Sequence, residues 1–105
     1  IGFSIYDEGN NLLFWSYQTD GHNESWPKLV LGQNCLRAKI PSNTLNEGTY
    51  RIELGAALYH REWLIEPSVN SPSITFEILG GLSKSIYWPS RRPGIFAPIL
   101  NWETV

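Results

Sequence analysis

Two short stretches of the chain place aromatic side chains beside side chains that donate and accept hydrogen bonds. The first stretch contributes Trp15, Tyr17, Gln18, Asp20 and His22. The second contributes Tyr59, His60 and Arg61, followed by Glu62 and Trp63. Sugars present flat apolar C–H faces ringed by hydroxyls, so a carbohydrate site needs an aromatic platform beside polar groups. Both stretches are therefore candidate carbohydrate-binding sites.

Each stretch also has a purely structural interpretation. In the first, Trp15 or Tyr17 would belong to the core and the polar loop after them would only be solvated, because aromatic residues dominate cores as well as binding surfaces. In the second, Arg61 and Glu62 would form a loop ion pair beside a core tryptophan. Exposure of the tryptophans next to unpaired polar groups would favour binding, whereas burial of all five would favour the structural interpretation.

Catalytic and metal-binding patterns are weak in this sequence. No G-x-S-x-G nucleophile elbow or G-x-x-x-x-G-K-[ST] phosphate loop occurs, and no local pattern singles out a carboxylate pair for glycoside hydrolysis. His22 and His60 are far apart in sequence, and Cys35 is the only cysteine. We predict a domain that is not an enzyme and that holds no metal or cofactor.

Length and charge limit the partners further. A chain of 105 residues suits one domain, and its hydrophobic fraction of 42% with 17% charged residues is typical of a globular protein. A net charge of −2 gives no general attraction to phosphate backbones or anionic lipid, so nucleic acid is not an expected partner. No apolar run approaches the roughly 18 residues that cross a bilayer, so we expect no direct membrane insertion.

Alternating apolar and polar residues predict several β-strands and no long helix. The predicted strands cover residues 1–7, 12–18, 49–59 and 74–79, with a strand pair or one bent strand over residues 29–40. Polar, turn-rich loops are predicted over residues 19–27, 41–48 and 60–72. Short strands separated by Gly, Pro and Asn predict an all-β fold, an antiparallel β-sandwich.

The two ends of the chain differ from its middle. The chain opens on residues that already alternate like a strand interior, which predicts a sandwich over residues 1–84 that lacks its first strands. Residues 85–105 combine apolar side chains with Pro89, Pro93 and Pro98. Because proline excludes a helix and free apolar residues would aggregate, we predict an extended tail docked on the sandwich or on a partner chain.

Several of these features together resemble a known family. They are the Ile40-Pro41 step, Leu45, and the run Glu47-Gly48-Thr49-Tyr50 that leads into a long strand. The closing strand of residues 74–78 and the tail from Arg92-Pro93-Gly94 to Trp102 belong to the same pattern. Over most of its length the chain resembles the C-terminal domain of the ATP-binding subunit of lipopolysaccharide O-antigen exporters.

The resemblance implies an immunoglobulin-like sandwich, with a jelly-roll-like arrangement as the alternative. It implies non-catalytic recognition of a lipid-linked O-antigen-type polysaccharide during export by an ABC transporter. The implied partners are a second copy with exchanged terminal strands, a parent nucleotide-binding domain and a membrane transporter subunit, at the cytoplasmic side of the bacterial inner membrane. The alternative function is a structural or dimerisation sandwich attached to a glycosyltransferase or methyltransferase of polysaccharide biosynthesis.

Overall fold

The computed structural model describes residues 1–80 and 85–105. In those residues it contains five strands and a single 3-10 turn at Asn23–Ser25, with no α-helix. The strands are β1 (Gly2–Tyr6), β2 (Leu12–Tyr17), β3 (Gly48–Leu58), β4 (Glu62–Ile65) and β5 (Ser73–Ile78). All strand pairs are antiparallel, so the predicted all-β antiparallel fold is confirmed.

The five strands form one sheet organised around the long strand β3. The order is β2-β1-β3-β4, and β5 also pairs with β3. Strand β1 lies between β2 and β3, where Ile5 is opposite Phe14 on one side and Ile52 on the other. Strand β5 pairs with residues 48–53 of β3, and β4 pairs with residues 56–58 through a short hairpin. This sheet carries every strand in the described part of the chain.

One side of the sheet, here named the covered face, holds the core. Its centre consists of Ile5, Leu45 and Tyr50, with relative exposures of 0%, 3% and 4%. Partly buried apolar side chains pack around that centre: Phe3, Leu13, Phe14, Ile40, Ile52, Phe76, Ile78 and Ile95. Because side chains alternate across a strand, every second residue of β1, β3 and β5 reaches this face.

Two segments without regular structure cover this face, one before β3 and one from the C-terminal tail. Leu45 and Phe96 form an isolated antiparallel bridge. Asn46, which is 1% exposed, donates from its side-chain amide to the carbonyl oxygens of Arg92 and Gly94 at 2.6 and 2.7 Å. Its backbone N–H donates to the Ile95 carbonyl at 2.8 Å. These bonds hold residues 92–97 against the sheet.

The opposite side of the sheet is here named the open face, and it carries polar and aromatic residues. Glu53 accepts hydrogen bonds from Arg51 Nε at 3.0 Å and from the Ser68 backbone N–H at 2.7 Å. The Arg51 guanidinium carbon lies 4.7 Å from the centre of the Tyr6 ring, which is a cation–π geometry. Glu53 thereby holds the loop around Ser68 against the sheet through hydrogen bonds.

The strands predicted over residues 1–7, 12–18, 49–59 and 74–79 are confirmed with small shifts at their ends. The strand or strand pair predicted over residues 29–40 is wrong, because these residues are irregular and almost all exposed. The loop predicted over residues 60–72 is wrong in part, since it contains β4. The predicted boundary after Lys84 falls within residues 81–84, outside the described residues.

Candidate functional site

Three aromatic side chains form a continuous surface on the open face. Trp15 lies between the other two, with ring centres 5.7 Å from Tyr17 and 6.0 Å from Trp63. Both separations fall in the range at which aromatic rings attract each other edge to face or offset. Trp15 and Trp63 remain 38% and 42% exposed. Trp15 and Trp63, with the half-buried Tyr17 beside them, therefore present an apolar platform to solvent.

The strand register explains why Trp15 and Tyr17 share this face. They are two residues apart in β2, and they lie opposite Ser4 and Gly2 of β1. Gly2 leaves room for the tyrosine, since a Cβ at that position would lie 2.6 Å from Tyr17 Cδ1. A side chain at position 2 would also clash with the Ser16 carbonyl oxygen, so both the Tyr17 ring and the β1–β2 pairing would have to shift.

The hairpin between β3 and β4 brings a second group of residues to the same place. The Arg61 backbone N–H donates to the Leu58 carbonyl at 2.9 Å, which closes a turn with Tyr59 and His60 at its tip. His60 has a φ of 51°, a left-handed conformation that residues other than glycine adopt infrequently. The Tyr59 and His60 rings lie 4.0 Å apart, and Tyr59 is almost fully exposed.

An open cavity of about 600 Å³ joins the two groups. Its lining includes Tyr17 and Thr19 from the end of β2, and Tyr59, His60, Arg61, Glu62 and Trp63 from the hairpin. The two stretches that the sequence identified separately therefore meet at one site. We name it the aromatic groove, defined by these lining residues together with Trp15.

The polar groups of the groove are available to a ligand. Within residues 1–80 and 85–105, the side chains of His60, Arg61 and Glu62 form no hydrogen bond or salt bridge, and the predicted alternative of an Arg61–Glu62 ion pair is absent there. Burial raises the pKa of the Tyr17 phenol, and the negative charge of Asp20 raises it further. Tyr17 therefore stays a neutral hydrogen-bond donor and acceptor across the physiological range.

Three predicted site residues do not line the groove. Asp20 caps the turn after β2, where its carboxylate accepts from the Tyr17 backbone N–H at 2.9 Å and from Ser16 Oγ at 3.2 Å. His22 precedes the 3-10 turn in the exposed loop, and its carbonyl accepts from Ser25. Gln18 lines a different cavity. It directly follows Tyr17, and successive side chains of an extended strand point to opposite sides of the sheet.

Trp63 is the residue on which the two interpretations of the second stretch differ. It was assigned to the core in the structural interpretation, yet it is exposed and contacts Trp15 across the open face. The signal for β4 was weak because only three consecutive apolar residues, Trp63-Leu64-Ile65, mark the strand. Thr19 was also missed, since a single threonine in a polar loop carries no distinctive signal.

Comparison with protein families, with curated proteins and with solved structures found no match for this chain. In the described residues no helix is long and apolar enough to span a membrane. Nor does any group of three or more His, Cys, Asp or Glu side chains in residues 1–80 and 85–105 gather in a way that could hold a metal ion.

Proposed function

We propose that this protein is a non-catalytic carbohydrate-binding domain whose ligand lies in the aromatic groove. The observation that carries the proposal is the row of half-buried Tyr17 and exposed Trp15 and Trp63. It lies beside the unpaired polar groups of His60 and Arg61. Sugar rings stack their C–H faces on such aromatic surfaces, and their hydroxyls need donors and acceptors close by.

The exposure of the tryptophans supports binding over the purely structural interpretation. All five tryptophans are exposed, over a range from 38% to 91%. The ring area that stays in solvent can be buried by a ligand, and burial of apolar area is worth roughly 25 cal/mol per Å². Trp15 and Trp63 contact each other and still leave ring surface in solvent.

The lining of the groove also favours recognition over hydrolysis. A glycosidase needs two carboxyl groups across its cleft, one on each side of the bond that breaks. Glu62 is the one carboxylate among the described residues that line the groove. The groove is also open, so it would not exclude water from a reaction.

The sequence resemblance narrows the proposed ligand to a lipid-linked O-antigen-type polysaccharide. In this form of the proposal, the domain is the glycan-recognition part of the ATP-binding subunit of an ABC exporter. It would act beside a nucleotide-binding domain and a membrane transporter subunit, at the cytoplasmic side of the bacterial inner membrane. A homodimer would present two grooves to the polysaccharide.

Titration calorimetry with the polysaccharide of the source organism tests the proposal. We expect weak binding to the wild type, because a shallow site must offset the ordering of a flexible glycan. Trp15→Ala and Trp63→Ala each remove one ring of the aromatic platform, and each is expected to weaken polysaccharide binding about tenfold or more.

The matched control is Trp102→Ala, which removes an exposed tryptophan of the tail that does not line the groove. This variant should bind like the wild type. Equal affinity of all three variants and the wild type would contradict the site. No binding by the wild type to any bacterial polysaccharide would contradict the function.

The second candidate function is dimerisation, which the low compactness of the chain favours. The radius of gyration is 17.1 Å, whereas a globular domain of this length has about 13 Å. Val30 and Leu31 in the irregular segment before β3 are largely exposed, as are Leu100 and Trp102 in the tail. Sedimentation equilibrium would report a dimer, and substitution of the exposed Leu100 and Trp102 by serine should convert it to a monomer if the tail joins two copies.

A further inference from the structure

The turn that follows β2 is held together by Asp20, a residue outside the lining of the aromatic groove. The Asp20 backbone N–H donates to the Tyr17 carbonyl at 3.0 Å. In the reverse direction, the Asp20 carboxylate accepts from the Tyr17 backbone N–H at 2.9 Å, and it also accepts from Ser16 Oγ at 3.2 Å. Asp20 therefore bonds to both main-chain polar groups of Tyr17.

The Asp20 carboxylate supplies a partner that the sheet does not. The Gln18 backbone N–H donates to the Ile1 carbonyl at 2.9 Å, toward the start of β1. Because the N–H groups of successive strand residues point to opposite edges, the Tyr17 N–H points to the outer edge of β2. In residues 1–80 and 85–105 no strand pairs with that edge. Without the carboxylate, water would be the partner of this N–H.

Two residues of the turn reach the aromatic groove. Tyr17 and Thr19 are the lining residues that come from this end of β2. The Tyr17 ring is half-buried, and its centre lies 5.7 Å from that of Trp15. Thr19 lies between Tyr17 and Asp20, inside the hydrogen-bonded turn. The bonds that fix the turn therefore also fix where the Thr19 side chain begins.

We propose that Asp20 is a positioning residue for the aromatic groove. By bonding to the Tyr17 backbone, it keeps the Tyr17 ring beside Trp15 and the Thr19 side chain at the edge of the groove. It acts on a glycan through these two residues and does not contact the glycan itself. The inference rests on the proposed function, because it concerns glycan binding in the same groove.

Two substitutions at Asp20 separate its hydrogen bonds from its charge. Asp20→Asn removes the charge and keeps a side-chain oxygen that accepts hydrogen bonds, whereas Asp20→Ala removes both. In titration calorimetry with the polysaccharide of the source organism, Asp20→Ala should weaken binding about fivefold, because fewer molecules have the groove arranged for binding. Asp20→Asn should bind within about twofold of the wild type.

The pKa of Tyr17 provides a second measurement, and it needs no glycan. Burial raises the pKa of the Tyr17 phenol, and the charge of Asp20 raises it further. Both variants lose the charge, so both should have a lower Tyr17 pKa than the wild type. Asp20→Ala should have the lower pKa of the two, because a ring no longer held beside Trp15 is less buried. NMR titration of ring-labelled tyrosine measures each pKa, with the Tyr17 signal assigned through Tyr17→Phe.

Glu24→Ala is the matched control. It removes an exposed carboxylate from the same loop, at a residue that does not line the groove. Within residues 1–80 and 85–105 the Glu24 side chain forms no hydrogen bond or salt bridge. This variant should match the wild type in polysaccharide affinity and in the pKa of Tyr17.

Two calorimetric results would overturn the proposal. One is equal polysaccharide affinity of Asp20→Ala and the wild type. The other is equally weak binding of Asp20→Ala and Asp20→Asn, which would assign the effect to the charge. If the wild type bound no polysaccharide, the proposed function would fail, and the NMR titration would decide the role of Asp20 by itself. Equal Tyr17 pKa values in Asp20→Ala and Asp20→Asn would then show that Asp20 does not position the ring.

Discussion

The covered face and the open face of the sheet are built from alternate residues of the same strands, yet they differ in what lies on them. The covered face has Ile5 and Tyr50 beneath Leu45, and the tail is bonded over it. The open face has Trp15 and Trp63, which contact each other and remain exposed. Segments that are distant in sequence cover the covered face, whereas the aromatic groove lies over the open face.

This difference indicates which side chains the fold depends on. Loss of an apolar group from the covered face leaves a void that close-packed neighbours fill only in part. Loss of an aromatic group from the open face exposes little new surface, because water already reaches it. Stability should therefore depend more on Ile5 of the covered face than on the exposed Trp63 of the open face, whereas ligand binding should depend on Trp63.

The largest effect is expected from Ile5→Ala. Ile5 is completely buried between β2 and β3, so its truncation should lower the free energy of unfolding by about 2–5 kcal/mol. Trp63→Ala on the open face is the comparison and should cost about 1 kcal/mol, the contribution of an aromatic pair. Urea denaturation measures both. An equal or larger loss in Trp63→Ala would contradict the contrast between the two faces.

An intermediate effect is expected from Asn46→Ala, which removes the two side-chain donors that hold the tail. The Gly94 carbonyl and the Glu47 backbone N–H would lose the Asn46 side chain as a partner, at a cost of about 1–3 kcal/mol. Hydrogen exchange should accelerate at the amide of Ala97, which bonds to the Thr44 carbonyl.

Asn101→Ala is the control for this measurement. It changes an exposed position in the tail, and it should leave exchange at Ala97 unchanged. If exchange at Ala97 stays slow in Asn46→Ala, the tail is held by other contacts.

The smallest effect concerns Tyr50, whose hydroxyl donates to the Asn46 carbonyl at 2.8 Å. Burial raises the pKa of Tyr50 above its ordinary value of 10.0; nearby Arg91 opposes this shift, and Asp7 and Glu8 add to it. As the pH rises, the Tyr50 phenol therefore loses its proton at a lower pH in the unfolded chain than in the folded protein. The resulting stabilisation is fully present below pH 10.0 and is lost as the pH rises through the higher pKa of the folded state.

Tyr50→Phe should accordingly lower stability at neutral pH by about 1 kcal/mol, through loss of the hydrogen bond, and should flatten the alkaline decline. Tyr17→Phe is the comparison on the open face. The pKa of Tyr17 is also raised by burial, but its hydroxyl has no hydrogen-bond partner in residues 1–80 and 85–105, so neutral stability should stay near the wild type. Thermal unfolding over a range of pH measures both. If Tyr50→Phe and Tyr17→Phe showed the same melting temperature at every pH, the two hydroxyls would contribute equally and this contrast between the two faces would be wrong.

Strand positions could be predicted from the sequence where alternation was regular, as in β1 and β3. The error over residues 29–40 has a physical origin. Leu29-Val30-Leu31 has the composition of a strand, but a strand also needs a neighbour to bond with, and in the structure these residues pair with none of the five strands. Strand β4 was missed for the opposite reason, because a short run gains a partner from the adjacent end of β3.

For the candidate site, the sequence identified the aromatic and polar residue types but not their grouping. The alternation in β2 placed Trp15 and Tyr17 on one face, because a strand has a period of two residues. Asp20 looked like a sugar-binding carboxylate, and it serves instead as the cap of a turn. Local hydrogen bonding of this kind competes with ligand binding for short polar side chains.

Local rules therefore determined strands β1, β2, β3 and β5 and the alternation of the two faces, because propensity and periodicity act over a few residues. Only the tertiary structure decided that the hairpin at Tyr59–His60 lies beside Tyr17, about 40 residues away in sequence. It also decided that residues 92–97 close the covered face. Such contacts depend on which edges and faces remain unpaired once all strands are assembled, and no local pattern encodes that outcome.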